Sequence, residues 1–491
     1  MRLSKITLRN FRCFEHLELN LHPRLTVLVG ENGAGKTAVL DAIASALSPV
    51  MTYLSSANQR LSGRGIQDGD FRVEEWPQFG GKARWGMANT TQLQVETFDG
   101  LAWDVWRAST KGKKPEQTIG QTELKHYLQR IAESYATEHP SFTPVIAYYG
   151  DRRGNIGVPQ RLRAAKQNYG YPTAALIGAL DSMSDFREML AWFDQEEAAE
   201  LRENKGVGDE DFVESPTLAA VRTAIEELLG GAYSNPHFNR DHKFLLERKS
   251  DGAYLMVSQL SQGYQSMLAL AMDFSRRLAI ANPQLQYGSV DFQRHFLDLL
   301  GDADQLLVES GYQDSVNPFQ SALATGAPAI MLVDEIDLHL HPSWQQRVLD
   351  DLMRTFPLTQ FIVTTHSPQV LTSVDASCIR LLRQTTNSET DATVNVVEPV
   401  TTQTRGVSSA DLLARIMSVD PVPAVPEAKM LADYQALIQQ NLHDSDDGQA
   451  LRTQLVKHFG AEHPVMRECD RLVRLQGFKQ RLPRTSRNSE G

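Results

Sequence analysis

The run Gly30-Glu31-Asn32-Gly33-Ala34-Gly35-Lys36-Thr37 constrains the fold of this 491-residue chain more than any other feature. It follows the apolar segment 25–29 and precedes a helical pattern that begins at Ala38. A strand, a glycine-rich loop and a helix start form a phosphate cradle, because the glycines bring backbone N–H groups close to an anion. Lys36 is expected to bind the β- and γ-phosphates, and the Thr37 hydroxyl to bind Mg²⁺. The residues expected to contact the nucleotide are Gly30, Asn32, Gly33, Gly35, Lys36 and Thr37.

Composition limits the class of protein. Hydrophobic residues make up 41% of the chain and charged residues 22%, as is typical of a globular protein. No apolar run approaches the length of a membrane span, and the N-terminus lacks the apolar core of a signal peptide. The three cysteines, Cys13, Cys378 and Cys469, are widely spaced, which fits a reducing compartment. We therefore expect a cytoplasmic protein with no membrane contact, and the net charge of −11 requires a local basic patch for any nucleic-acid contact.

Two further apolar runs end in residues that can act on a phosphate. The run Ala329-Ile330-Met331-Leu332-Val333 is typical of a central parallel strand and ends in Asp334 and Glu335. Asp334 is expected to hold Mg²⁺ and Glu335 to orient or deprotonate the attacking water. A second buried run, 360–365, ends at His366, which can hydrogen-bond a terminal phosphate. The sequence therefore predicts a hydrolytic site at the carboxyl ends of these strands.

Two shorter patterns are candidates for nucleotide contacts. In Leu260-Ser261-Gln262-Gly263-Tyr264-Gln265, Ser261 is a helix-start residue and Gly263 keeps the first turn open to an anion. Without the other motifs, this pattern would indicate a plain helix cap. Arg12 lies in a turn upstream of the glycine-rich loop and could reach a nucleotide, or could be an ordinary surface arginine.

The order of the patterns predicts an α/β fold with a mixed central β-sheet, helical insertions and a C-terminal helical segment. From residue 428 onward, apolar residues at helical spacing predict about three amphipathic helices. The expected parts are an ATPase head at 1–400 with insertions at about 50–145, 155–240 and 281–328, a partner-binding helical segment at 401–480, and a basic, disordered tail at 481–491.

Two charged clusters could each have a functional role or could be ordinary solvated surface charges. Asp68 and Asp70 lie in a polar loop where a metal or water contact is conceivable, but solvated loop acids are the preferred interpretation. A local basic cluster could contact nucleic-acid phosphates or could be a solvated helix face. It consists of Arg152, Arg153, Arg161, Arg163 and Lys166.

The order of motifs resembles the soluble ABC ATPases of the RecF, SMC and Rad50 type. The residues that carry this resemblance are Gly30–Thr37 as Walker A, Leu260–Gln265 as the ABC signature, Asp334–Glu335 as Walker B with its catalytic glutamate, Asp337 as the D-loop, His366 as the switch histidine, and Asn10-Phe11-Arg12. The resemblance implies Mg²⁺-dependent hydrolysis of ATP.

Three segments resemble more narrowly the PtuA ATPases of bacterial Septu anti-phage systems and of the retrons that use them. These are 145–150, Glu335–Gln345 and Thr364–Leu371. The resemblance implies an HNH nuclease partner, PtuB, which the ATPase holds or restrains. In the retron version it also implies contact with a reverse transcriptase and its RNA–DNA product.

In this superfamily ATP lies between two protomers, so the resemblance implies a homodimer, or a higher oligomer built from it, with composite ATP sites. One chain would contribute Lys36, Thr37, Asp334, Glu335 and His366, and the other Ser261 and Gly263.

Three other functions stay open at this point. The chain could be a repair or maintenance ATPase that acts directly on DNA, although it lacks a long heptad arm. It could be an overcoming-lysogeny-type nuclease, which would require a large acidic C-terminal domain. It could also be the ATPase of a toxin system that sequesters another effector.

Overall fold

The computed structural model describes most of the chain. The residues outside the description are 57–58, 80–81, 111, 139, 155–168, 183–185, 209–210, 288–322, 387–392, 421 and 482–491. Three members of the predicted basic cluster, most of the expected insertion at 281–328 and nearly all of the expected tail therefore lie outside the described residues. The chain divides into two compact units, Met1–Leu412 and Leu413–Gly491.

The strands of the described residues all belong to the first unit. They are β1 (Leu3–Phe11), β2 (Phe14–Asn20), β3 (Leu25–Gly30), β4 (Val73–Phe79), β5 (Lys82–Met87), β6 (Thr90–Thr97), β7 (Ala102–Ala108), β8 (Val145–Tyr149), β9 (Tyr233–Phe238), β10 (Phe244–Arg248), β11 (Ala253–Met256), β12 (Ala329–Val333), β13 (Thr359–Thr364), β14 (Ile379–Thr386) and β15 (Thr393–Pro399).

The helices of this unit connect and cover the sheets. They are α1 (Lys36–Ala46), α2 (Ser48–Leu54), α3 (Thr122–Ser134), α4 (Phe186–Glu203), α5 (Pro216–Leu228), α6 (Gln262–Ala281), α7 (Pro342–Gln345), α8 (Val348–Thr355), α9 (Pro368–Leu371) and α10 (Ser409–Arg415), which ends just past the boundary.

A six-stranded sheet forms the centre, in the order β15-β14-β3-β13-β12-β8. Five strands are parallel, and β15 pairs antiparallel with β14 at one edge. Every residue of β8, β12 and β13 is buried, which explains their apolar runs. This architecture confirms the predicted α/β class with a mixed central sheet. Because β3, β13 and β12 are parallel neighbours, the loops that follow them emerge at the same edge.

A second sheet, β2-β1-β6-β7, packs on α1 and is antiparallel throughout. Leu8 faces Leu17 of β2 and Leu93 of β6, so part of the segment expected as an insertion extends the N-terminal hairpin. The buried Trp103 donates a hydrogen bond from Nε1 to the carbonyl of Ala46 at 2.8 Å. This pairing ties the end of α1 to the second sheet.

One stretch of the described residues, Lys36–Leu54, is long and apolar enough to cross a membrane by length and composition, contrary to the expectation from the sequence. It comprises α1 and α2, and 78% of its apolar window is buried inside the fold. We therefore assign it to the core of the first unit.

The second unit contains the three predicted amphipathic helices, α11 (Pro426–Gln439), α12 (Asp446–Phe459) and α13 (Pro464–Arg481). Their apolar faces meet in a small core of their own. Its buried residues are Tyr434, Ile438, Leu455, Met466 and Cys469.

Candidate functional site

The glycine-rich loop leaves β3 and leads directly into α1. Gly33 and Gly35 have φ values of 83° and 95°, in the left-handed region that glycine adopts without steric cost. A Cβ on Gly35 would lie 2.5 Å from a ring carbon of Phe14 and 2.7 Å from Sγ of Cys13. The backbone conformation therefore favours glycine at both positions, and Gly35 in addition leaves no space for a side chain.

The Lys36 side chain curls back over this loop. Its Nζ donates hydrogen bonds to the carbonyls of Gly30 at 2.9 Å and Glu31 at 3.0 Å. Burial lowers the pKa of Lys36, although three nearby carboxylates oppose that shift. The ammonium is thus held at the loop by neutral acceptors that an anionic ligand can replace.

The Asp334 carboxylate lies beside the start of α1 and is buried. Its Oδ2 accepts a hydrogen bond from the hydroxyl of Thr37 at 2.8 Å. Its Oδ1 accepts one from the hydroxyl of Thr364, the last residue of β13, at 2.6 Å. The structure therefore brings together Thr37 and Asp334, which lie 297 positions apart in the sequence.

Glu335 occupies an unusual backbone conformation. Its φ is 48°, and a left-handed conformation at a non-glycine residue costs about 1 kcal/mol. Its N–H donates to Oγ1 of Thr364 at 2.7 Å. On the other side, the guanidinium of Arg153 donates to the carbonyls of Asp334 and Glu335. The backbone that carries the half-buried Glu335 side chain is thus fixed by Thr364 on one side and by Arg153 on the other.

Arg153 corrects the interpretation of the basic cluster. The sequence grouped it with surface cations, whereas the structure buries it to 5% exposure against backbone carbonyls. Its neighbour Arg152 is exposed. Since Arg153 is already bound inside the protein, it is not available to a nucleic-acid phosphate.

The segments that follow Glu335 and β13 are hydrogen-bonded to each other. The Thr365 hydroxyl donates to Oδ1 of Asp337 at 2.5 Å, and the Ser367 hydroxyl donates to Oε1 of Gln345 at 2.6 Å. Between them, His366 is exposed at the same edge of the sheet. Asp337 and His366 therefore lie on two loops that are joined directly.

The start of α6 packs against the loop that contains Asp337. Gly263 is buried, and a Cβ there would lie 2.7 Å from the carbonyl oxygen of His339. Tyr264 contacts the ring of Trp344 with centroids 4.7 Å apart. Ser261 is exposed and its side chain makes no capping hydrogen bond. Within the described part of the chain, no hydrogen bond joins Ser261 to the glycine-rich loop.

Arg12 is held by two carboxylates. Its Nη1 lies 2.7 Å from Oδ2 of Asp41, on α1, and its Nη2 lies 2.9 Å from Oδ1 of Asp70. Asp70 is 1% exposed and is also paired with Arg64 at 3.2 Å. The interpretation of Asp70 as a solvated loop acid was therefore wrong. Asp68, in contrast, is exposed as expected, and its carboxylate lies 2.6 Å from the guanidinium of Arg107. A role of Arg12 at the nucleotide stays a prediction.

The oxygen atoms at the loop fit a magnesium ion. Thr37 and Asp334 offer two hard oxygen donors at its edge. Within the described ranges, no group of three or more His, Cys, Asp or Glu side chains could hold a metal ion together. This donor set suits Mg²⁺, which nucleotide sites bind with one or two protein ligands, substrate phosphates and water.

Sequence reasoning missed the groups that hold the expected residues in place. Thr364 contacts both acids of the Asp334–Glu335 pair, and Arg153 fixes their carbonyls. The position of Thr364 at a strand end beside His366 was an available signal. No comparable signal indicated the role of Arg153, because two of its acceptors are backbone carbonyls far away in the sequence.

Family models match two overlapping parts of the chain. Residues 5–229 match an AAA domain. Residues 162–372 match an AAA domain described with the AbiEii toxin of type IV toxin–antitoxin systems. Together the two matches include every residue from the glycine-rich loop to His366.

Curated relatives match over almost the full length. The chain is 26% identical to the Retron Ec83 probable ATPase of Escherichia coli, over 95% of this chain and 86% of that one. It is 24% identical to the Retron Vc95 probable ATPase of Vibrio cholerae, over 94% and 88%. A shorter match, 25% identical over 23% of this chain and 28% of the relative, is to Septu protein PtuA of Bacillus thuringiensis. Among solved structures, an SMC head bound to the C-winged helix domain of ScpA matches 82% of this chain and 98% of that chain, with 15% identity and a TM-score of 0.39.

Proposed function

We propose that this chain, an ABC-type ATPase of the RecF, SMC and Rad50 kind, hydrolyses ATP in sites shared by two protomers and uses the nucleotide state to control an effector nuclease. The relatives support an ATPase of a bacterial anti-phage defence system. One observation carries the proposal. Lys36, Thr37, Asp334 and Glu335 meet at one edge of the sheet, while Ser261 is exposed and, among the described residues, has no hydrogen bond to them.

Binding of ATP begins at the glycine-rich loop. The backbone N–H groups of the loop and the start of α1 bind the phosphates, and Lys36 exchanges its two carbonyl acceptors for phosphate oxygens. Thr37 and Asp334 hold Mg²⁺, which when bound neutralises charge on the phosphates. The loop therefore orients the triphosphate without a large rearrangement of its own backbone.

Glu335 acts on the water that attacks the γ-phosphate. Glu335 is the residue directly after Asp334. Its carboxylate accepts a proton from the water, or it aligns the water for attack. His366 donates a hydrogen bond to the γ-phosphate. The hydrogen bond from Thr365 to Asp337 joins the loop that contains His366 to the loop that follows Glu335. Loss of the γ-phosphate then alters contacts on both joined loops.

The second half of each site comes from the partner protomer. Ser261 and Gly263 at the start of α6 bind the γ-phosphate of the opposite chain, where the helix N-terminus favours an anion. The γ-phosphate is then held by both chains, so closure of the dimer depends on the nucleotide state. The assembly is a homodimer or a higher oligomer built from such dimers.

The C-terminal unit is the proposed docking platform for the effector. It exposes apolar side chains in a turn, at Leu442, and on α13, at Leu475 and Phe478. The occupant that we propose is an HNH nuclease of the PtuB type, the partner that the sequence resemblance to the PtuA ATPases implies. In the retron version, that resemblance also implies a reverse transcriptase with its RNA–DNA product. All of these would meet in the cytoplasm.

The variant Glu335→Gln tests the hydrolytic role and the control of the effector together. Removal of the general base should lower the rate of ATP hydrolysis at least about 100-fold while ATP binding persists. In the native host, the tagged variant should co-purify with a nuclease in a different yield from the wild-type chain, because it is trapped in the ATP state.

Hydrolysis at the wild-type rate would refute the role of Glu335. Recovery of no nuclease with either form would refute the effector assignment. Salt-dependent DNA binding by the isolated chain would favour the alternative of a RecF- or SMC-like ATPase that acts directly on DNA. The burial of Arg153 already removes one cation from the patch that this alternative would use.

A further inference from the structure

Arg153 lies in the turn Asp151–Gly154 that follows β8, the strand next to β12 in the sheet. Its guanidinium donates to three backbone carbonyls and is buried. One Nη1 bond goes to Gly150 at 3.1 Å and another to Asp334, and Nη2 donates to Glu335 at 2.5 Å. A buried arginine that contacts neutral carbonyls on two chain segments fixes their relative position.

The two carbonyls of this contact lie on either side of the Glu335 side chain. The carbonyl of Asp334 belongs to the peptide before Glu335, and the carbonyl of Glu335 belongs to the peptide after it. Together they determine the direction in which the Glu335 Cβ points. Since φ at this residue is 48°, the backbone would lower its energy by leaving this conformation if it were released.

A guanidinium suits this position better than an ammonium. Its planar fork can donate to two separate acceptors at once, whereas a lysine side chain presents one compact charge. Burial lowers the pKa of Arg153 to about 10, which still leaves the side chain protonated at neutral pH. The nearby acidic side chains of Asp334, Asp337 and Glu335 favour that charge.

We propose that Arg153 is a positioning residue for ATP hydrolysis, which holds the Asp334–Glu335 backbone so that the Glu335 carboxylate faces the attacking water. The proposal rests on the proposed role of Glu335. Arg153 does not contact the nucleotide in this mechanism. Its removal should therefore reduce the rate of the chemical step and leave ATP binding nearly unchanged.

The experiment compares full-length Arg153→Lys and Arg153→Ala with Arg152→Ala, a matched change at the exposed neighbouring arginine. Steady-state hydrolysis gives kcat and KM, and binding of a non-hydrolysable ATP analogue gives Kd. Both Arg153 variants should lose about tenfold or more in kcat, because small displacements of a catalytic group are costly, with Kd within about threefold of wild type. Arg152→Ala should match the wild-type chain in both quantities.

Arg153→Lys keeps the charge and most of the volume, so it tests the proposal even if the alanine variant fails to fold. Wild-type kcat in Arg153→Lys would overturn the proposal, because one ammonium would then suffice. A loss of kcat matched by an equal loss of analogue binding would also overturn it, since that pattern indicates general damage to the fold.

A double variant separates this proposal from the proposed function. If Arg153 acts through Glu335, Arg153→Lys should not reduce the residual rate of Glu335→Gln any further. If the rate of the double variant instead falls by the product of the two single reductions, the positioning role is overturned. If Glu335→Gln alone loses hydrolysis while the Arg153 variants do not, only this inference fails. If Glu335→Gln hydrolyses ATP at the wild-type rate, the proposed function fails first.

Discussion

At the scale of single residues, three threonine hydroxyls organise the acids of the candidate site. Thr37 and Thr364 each donate to one oxygen of Asp334, and Thr365 donates to Asp337. A hydroxyl can donate and accept at once, so Thr364 also accepts the N–H of Glu335. These neutral groups hold the carboxylates in place without neutralising their charge.

A second residue-scale feature is Asp273, which lies buried in the middle of α6. Its carboxylate accepts hydrogen bonds from Arg276 and Arg277, each at 2.7 Å, and from the hydroxyl of Tyr149 at 2.8 Å. Burial by itself raises the pKa of Asp273, but the two guanidinium groups and these hydrogen bonds outweigh it and hold the pKa at about 2. The cluster joins α6 to the end of β8.

Asp273 should contribute to the pH dependence of stability. Because its folded pKa lies below its ordinary value of 3.8, the contribution is present above that value and is lost as the pH falls towards about 2. Asp273→Asn should lower the free energy of unfolding at pH 7 by about 3 kcal/mol, because two buried arginines lose their partner. Its stability should fall less steeply than that of wild type between pH 4 and 2, as measured by urea unfolding.

Asp251→Asn is the matched control, because Asp251 also has a pKa lowered to about 2, by Arg248, but is exposed at a hairpin turn. Solvent screening should make its effect on stability much smaller. An equal loss of stability in both variants would contradict the assigned role of the buried cluster.

At the scale of secondary-structure elements, α6 links several parts of the first unit. Its first turn packs on the loop that contains His339 through Gly263. Tyr264 lies between the rings of Tyr233 and Trp344, with centroids 4.9 and 4.7 Å away. The middle of the helix is anchored to β8 through Asp273. From these contacts we expect a displacement at the start of α6 to disturb the loop that follows Glu335.

Gly263→Ala should disturb this contact specifically. The new Cβ would lie 2.7 Å from the carbonyl oxygen of His339, so the helix start and the loop must separate. Crowding of this kind typically costs about 1–3 kcal/mol, and the thermal midpoint should fall accordingly. The rate of ATP hydrolysis should fall, while binding of a non-hydrolysable analogue to the glycine-rich loop is retained. Gln262→Ala, at the exposed preceding position, is the control, and an unchanged rate in Gly263→Ala would contradict the coupling.

At the scale of the whole molecule, the division into Met1–Leu412 and Leu413–Gly491 separates hydrolysis from the proposed docking of an effector. All of the candidate site residues belong to the first unit. The two halves of the proposed composite ATP site both lie within this unit but on different segments, the glycine-rich loop and the start of α6. Under this proposal, a second copy of the chain completes each site.

Mixing two inactive variants tests this arrangement. Lys36→Ala should abolish nucleotide binding, and Ser261→Arg should block the γ-phosphate of the partner, so each alone should be inactive. In a two-fold dimer formed at random from both chains, half of the dimers carry one intact site, so about a quarter of the wild-type ATPase rate should return. The measurement is steady-state hydrolysis after denaturing and refolding the mixed chains together, with each variant treated alone as control. Absence of recovery, when refolded wild type is active, would contradict a shared site.

The amino-acid sequence by itself determined the α/β class, the glycine-rich loop and the strand that leads into Asp334 and Glu335, because each depends on contiguous residues with a regular pattern. Hydrophobic runs and glycine spacing are local properties, so the sequence displays them directly. The three C-terminal helices were predictable for the same reason.

Only the tertiary structure decided which groups hold the site together. Arg153 reaches a carbonyl 181 positions away, and Arg12 meets Asp70 58 positions away, so both are fixed charges and not free surface cations. The partner of a buried charged group depends on how distant segments pack, and backbone carbonyls have no signature in the sequence. For this reason the residues themselves predicted which side chains the candidate site would contain, whereas the hydrogen bonds that position them were visible only in the folded chain.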